Sequence, residues 1–175
     1  MLQHEIFRVD DLGWIRDLTR AHPFLGHLAR TDAEEHELGS HEVVVVLQGP
    51  HGYISPRWYE ETPHVPTWNF TVLHVHGRPE VLDPADTYDV LSATVDHFED
   101  HFPEPWRLAR VETYAHRIAA ATGFRLSATK VTAKAKLSQD ESEDIVLRLA
   151  DALDSDWPYA GPELARAMRD TRRKP

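Results

Sequence analysis

Cysteine is absent from the 175 residues, which excludes disulfides and removes thiolate as nucleophile, zinc ligand or haem ligand. Any iron would have to rest on nitrogen or oxygen. Long apolar runs are missing too: no stretch approaches the length needed to cross a bilayer, and the start, MLQHEIFRVDD, lacks the basic-then-apolar layout of a signal peptide. These absences lead to the expectation of a cytoplasmic chain with no membrane partner. Basic charge is in deficit, 19 Lys and Arg against 29 Asp and Glu, for a formal net charge of -10. Such a chain repels a phosphate backbone unless its cations gather on one face. They cluster only at Arg166, Arg169, Arg172, Arg173 and Lys174, which reads as a solvated terminal helix. With no helix-turn-helix pattern, tight direct nucleic-acid binding is not expected.

Several catalytic signatures are missing as well. There is no phosphate loop, no G-x-G-x-x-G, no nucleophile elbow and no Ser-His-Asp order, so Ser55 and Ser138 read as polar contacts. Neither an internal repeat nor a low-complexity segment is present. The chain has the length of one ordinary domain, 1–175, with 41% apolar residues to fill a core.

The expected elements follow from local pattern. Asp10 or Asp11 can cap a helix bearing Leu12, Ile15 and Leu18. EVVVVLQ, Glu42 to Gln48, suits a central strand ended by Gly49-Pro50. Thr67 to His76 alternates, with Trp68, Phe70, Val72, His74 and His76 on one face and Thr67, Asn69, Thr71, Leu73 and Val75 on the other. Asp83 and Pro84 open a helix whose Tyr88, Leu91, Val95, Phe98 and Phe102 form a core stripe. A helix from about Val111 should stop at Gly123. Phe124 to Lys136 should return to the sheet. Ile145, Val146, Leu149 and Leu153 mark a further amphipathic helix, and a polar helix closes the chain.

The stretch 49–77 combines Pro50, Pro56, Pro63 and Pro66 with Tyr53, Trp58, Tyr59, Trp68, His74 and His76. Core filling does not require that mixture, and a flat aromatic ligand could be gripped there. Trp58, Tyr59 and Trp68 can stack on such a ligand or fill the core, with core first for Trp68. His74 and His76, two apart on one strand face, can approach one ligand or face solvent, and partial burial is expected. His97 and His101 lie four apart on a helix without a third metal ligand, so they read as a solvated face.

GPHGYISPRWY, VPTWNF, HVHGR and Lys136-Leu137-Ser138-Gln139 together resemble the FMN-binding negative transcriptional regulator (PaiB) family, in order from Pro23 to Gln139. The haem-dependent piperazate synthases share these motifs, and the short connection Glu60 to His64 resembles theirs. The resemblance implies an α+β fold, mainly a β barrel with flanking helices: the dimeric FMN-binding split barrel. Members carry an added pair of strands where here Leu25 alone joins Ala21-His22-Pro23-Phe24 to Gly26-His27-Leu28-Ala29-Arg30. The barrel is therefore expected to be abbreviated or completed by a second subunit of a homodimer.

Two functions follow from the resemblance. In the enzyme reading, His27 in GHLAR ligates the iron of haem b, and N-hydroxylated ornithine is cyclised by N–N bond formation. The base or carboxylate-binding group is then sought among Lys136, His74 and Tyr53. In the regulator-like reading, FMN or another small ligand is bound and the protein acts through a partner. Arg30, Ser55, Arg57 and Lys136 are possible phosphate contacts, and Trp58, Tyr59, Trp68 and His76 possible contacts to the ring system. Each of the polar groups is equally ordinary as a surface residue or structural hydrogen-bond donor.

Overall fold

A computed structural model describes residues 6–7, 23–61, 63–108 and 118–172. The helix expected on Leu12, Ile15 and Leu18, and most of that expected from Val111, lie outside them. The architecture is α+β, with two antiparallel sheets and a few helices. The strands are β1 (Ile6–Phe7), β2 (Phe24–Ala29), β3 (Val43–Ile54), β4 (Thr67–Gly77), β5 (Pro79–Val81), β6 (Ala121–Leu126) and β7 (Lys130–Lys136). The helices are α1 (Arg30–Glu35), α2 (Pro84–Glu99), α3 (Glu143–Leu153) and α4 (Pro162–Asp170). One sheet has the order β1-β7-β4-β3 and the other β2-β6-β5. Two compact units are present: unit 1 is Met1–Gly13, Val45–Val75 and Val131–Pro175, and unit 2 is Trp14–Val44 and His76–Lys130.

In unit 1 the four-stranded sheet carries a helical core on one side. Ile54, Trp58, Tyr59 and Leu137 pack with Ile145, Val146, Leu149 and Leu153 of α3 and Leu164, Ala165 and Met168 of α4. The α3 pattern is as the sequence suggests, and Ser142 caps its start by accepting the Ile145 N–H at 3.4 Å. The last helix is not simply polar: Leu164, Ala165 and Met168 are buried. Nor is its basic run solvated throughout. Arg169 pairs with Asp151 at 2.7 Å and with Asp154. Arg172 donates to the carbonyls of Ser138, Gln139 and Glu141 at 3.2, 3.1 and 2.8 Å.

The strand β3 departs from expectation twice. It ends the sheet order rather than lying centrally, and it runs through Gly49-Pro50 instead of stopping there. Pro50 lacks an N–H, which an end strand tolerates, and Gly49 allows the close approach to Thr71 Oγ1 of β4 that a Cβ would block. Val44, Val46 and Leu47 are exposed.

In unit 2 the residues from Phe24 through Leu25 to Ala29 form the single strand β2, paired with β6 from Phe24↔Leu126 to Ala29↔Ala121. Residues 121–123 are strand, not the end of a helix. Gly123 is needed for a close approach to α2, since a Cβ there would stand 2.8 Å from Thr87 Oγ1, and its N–H donates to that hydroxyl at 3.1 Å. This contact fixes the rotation of α2, turning Thr87 and Val90 inward. The expected aromatic stripe is displaced by about one residue, or roughly 100°, so Phe98 and Phe102 remain 65% and 59% exposed. Asp83 caps α2 as anticipated, accepting Asp86 N–H at 2.9 Å. Finally, Phe124 to Lys136 is not one return strand but β6 and β7 in different sheets.

Candidate functional site

The alternation of β4 separates two environments. Asn69, Leu73 and Val75 are buried, whereas Trp68 is 50% exposed and Phe70, Val72, His74 and His76 are half-buried. Trp68 is therefore not a core residue. Lys134 of β7 holds its Nζ 5.5 Å from the Phe70 ring centroid, which puts the even-numbered residues of β7 on the same side. Lys136 Nζ donates to Thr67 Oγ1 and to the Trp68 carbonyl at 3.2 Å. From β3, His51 stacks on Trp68 with centroids 5.9 Å apart and planes 26° apart. His51, Trp68, Phe70 and Lys134 thus form an open aromatic and cationic face within unit 1, and Lys136 is held at its end against Thr67 and the β4 backbone.

The electrostatics distinguish this face from the rest of an acidic chain. Burial lowers the Lys136 amine below the ordinary lysine value, Lys134 adds to the lowering, and Asp140 opposes it. Neither lysine forms an ion pair among the described residues. The face can therefore take an anion beside a flat ring, and Lys136 can release its proton more readily than a free lysine.

Lys136-Leu137-Ser138-Gln139 has a second role, in the fold. Leu137 is in the core. Ser138, at φ 59°, accepts a hydrogen bond from the buried Asn69 amide at 2.9 Å. The Gln139 side chain accepts from Leu137 N–H at 2.6 Å and donates to the Ala135 carbonyl at 3.2 Å. Arg172 then fixes the following turn. Asn69 and Arg172 were not anticipated as organising residues. The available signal for Asn69 was a lone amide on a strand side otherwise made of threonine, leucine and valine; Arg172 had none.

Other candidates lie elsewhere. Trp58 and Tyr59 are core residues, 7% and 4% exposed, so they do not offer open ring faces. Tyr59 also stacks on His64 at 3.9 Å and 15°; burial raises its phenol pKa, Glu141 and Asp140 add to this, and the Ser138 hydrogen bond opposes it. Ser55 is a structural cap, accepting Arg57 N–H at 3.3 Å at the start of the turn Pro56–Tyr59. Tyr53 is half-buried with its ring 5.1 Å from that of Tyr159. In unit 2, His27 is exposed on β2 opposite Gly123, and Arg30 is exposed at the start of α1. His97 and His101 are exposed, with centroids 6.4 Å apart. No group of three or more His, Cys, Asp or Glu among the described residues is placed to hold a metal ion, and none of their helices is long and apolar enough to cross a membrane.

Comparison with known proteins adds a family. The family described as "Putative FMN-binding domain" matches residues 11–130. The chain is 27% identical over 135 residues to "Protease synthase and sporulation protein PAI 2" of Bacillus subtilis, covering 76% of this chain and 65% of that protein. It is 36% identical over 90 residues to "Uncharacterized protein YKL070W" of Saccharomyces cerevisiae, covering 47% and 53%. The chain thus spans under two thirds of the length of either relative. Among solved structures, the flavocytochrome Anf3 from Azotobacter vinelandii is similar at TM-score 0.46 and 15% identity, over 76% of this chain and 54% of that one. The FAD and heme binding protein from Mycobacterium smegmatis is similar at TM-score 0.47 and 12% identity, over 72% and 60%.

Proposed function

Because the chain belongs to the "Putative FMN-binding domain" family, we propose that it binds a planar, anionic ligand of the flavin mononucleotide class on the open face of unit 1. The observation that carries this reading is the half-exposed Trp68 ring on the strand face that also carries Phe70, over whose ring Lys134 Nζ lies, with Lys136 Nζ bonded to the Trp68 carbonyl at the end of that strand. The residues fit such a ligand: Trp68 supplies a stacking surface, and the lysines supply charge for an anionic group. A bound flavin would supply reversible redox chemistry. Lys136, held against Thr67 and the Trp68 carbonyl, would orient the ligand and hold or release one proton at Nζ. A second copy of the chain would cover the exposed Val46, Leu47 and Trp68, making the working form a homodimer. Acting through its ligand or a partner, this regulator-like protein would not bind DNA tightly, since Arg169 and Arg172 are engaged within the chain.

Titration with flavin mononucleotide, followed by quenching of flavin fluorescence, tests the reading. Saturable binding should be weakened about tenfold or more by Trp68→Ala and again by Lys134→Met. Equal affinity in all three proteins would discard the site. Sedimentation at micromolar concentration should show a dimer, and a monomer would remove the second copy from the proposal.

A haem reading has one observation of its own: the His27 imidazole is exposed and has no hydrogen bond among the described residues, leaving a nitrogen able to bind iron. Under it the protein is a piperazate synthase-like enzyme acting on N-hydroxylated ornithine. The α-amine nitrogen attacks the hydroxylated nitrogen, the N–N bond forms as N–O breaks, and water leaves. The amine proton passes to the departing hydroxyl, which leaves as that water. A Soret band lost in His27→Ala but kept in His97→Ala and His101→Ala supports this reading; an unchanged band in His27→Ala eliminates the ligand.

A further inference from the structure

Unit 2 contains a pocket of about 270 Å³ between the start of α2, the end of β5 and the residues leading into β6. Val81, Leu82, Ile118 and Ala121 give it apolar walls, Thr87 contributes a buried hydroxyl, and Arg30 stands at its rim. Its size decides the ligand class. At under the roughly 300–1,000 Å³ of sites that enclose drug-sized molecules, it cannot enclose a flavin or a porphyrin.

The polar groups decide the ligand's charge. Among the described residues, Arg30 has no ion pair or side-chain hydrogen bond, although its backbone is anchored by donation to the Ala120 carbonyl at 2.7 Å. Thr87 Oγ1 accepts from Gly123 N–H, which leaves its own proton for another acceptor. The Asp83 carboxylate caps α2 by accepting Asp86 N–H and forms no ion pair with Arg30. An unpaired guanidinium beside an apolar recess is complementary to a carboxylate on a short hydrocarbon body. We infer that this pocket binds a small apolar monocarboxylate, its hydrocarbon part inside and its carboxylate on Arg30.

This site is independent of the ligand proposed for unit 1. Isothermal titration of the full chain with 4-methylpentanoate, and with the neutral 4-methylpentanamide as control, tests it. The acid should bind saturably in the millimolar range or below and more tightly than the amide. Arg30→Gln should weaken the acid about tenfold, the scale of one hydrogen bond to a charged group, while leaving the amide unchanged. Ala119→Leu, at an exposed lining position, should weaken both by narrowing the recess, and circular dichroism should show both variants folded. No saturable binding of the acid, equal affinity for acid and amide, or an unaffected acid affinity in Arg30→Gln would overturn the inference.

Discussion

Units 1 and 2 each join a sheet to helices, yet the two contacts are made differently. In unit 1, α3 presents Ile145, Val146, Leu149 and Leu153, and all four are buried. In unit 2, α2 is set by the close approach of Thr87 to Gly123, and the large aromatics Phe98 and Phe102 stay outside. A continuous aliphatic stripe produces a filled core; one close backbone contact produces a rotated helix and a small recess. The filled core lets unit 1 support a ligand face on rigid strands. The recess suits unit 2 to something smaller.

Truncation tests this comparison most severely. Leu149→Ala should cost about 2–5 kcal/mol by removing a wholly buried side chain, whereas Phe98→Ala should stay within about 0.5 kcal/mol despite the larger deletion. Urea unfolding of both variants measures the difference, and equal losses would break the distinction between the units. Next in size, Arg172→Ala should cost about 1–3 kcal/mol, because three carbonyls lose their shared donor. A neutral result by the same measurement would reduce the clamp to an incidental contact.

The smallest expected effect concerns the open face. Because Lys136 titrates below an ordinary lysine, its neutral amine forms at lower pH, and competitive acetylation should reach half-maximum at lower pH than for free Nα-acetyl-lysine amide in the same mixture. The neighbours have opposite signs. Lys134→Met removes a positive neighbour and should move that midpoint up; Asp140→Asn removes a negative one and should move it further down. Mass spectrometry of the labelled peptides reads both shifts, and movement in the same direction would refute the assigned causes.

Much of the fold was legible locally. The alternation of β4, the Asp83-Pro84 start of α2 and the aliphatic spacing of α3 depend on strand and helix periods, which neighbouring residues express by themselves. The place of β3 at the end of the sheet among the described residues was not legible, because a β-branched apolar run has the same local pattern at an edge as at the centre. The division of β6 from β7 was equally hidden, as alternation does not say which sheet a strand joins. At the candidate site, Lys136 and Trp68 were named from sequence, but stacking on Trp58 and Tyr59 was not supported: aromatic identity alone does not separate a core ring from an open one.

By itself the sequence determined the absence of thiol chemistry, the acidic balance, and the periods and caps of the clearest elements, since each follows from residue identity or near neighbours. Only the tertiary structure decided which side of β4 was buried, how far α2 was rotated, and that Arg172 would hold the turn after Lys136. Those outcomes depend on contacts such as Gly49 with Thr71, Gly123 with Thr87 and Arg172 with Ser138. In each pair the partners are distant along the chain, and steric fit or a shared hydrogen bond selects one arrangement from several that the local pattern permits.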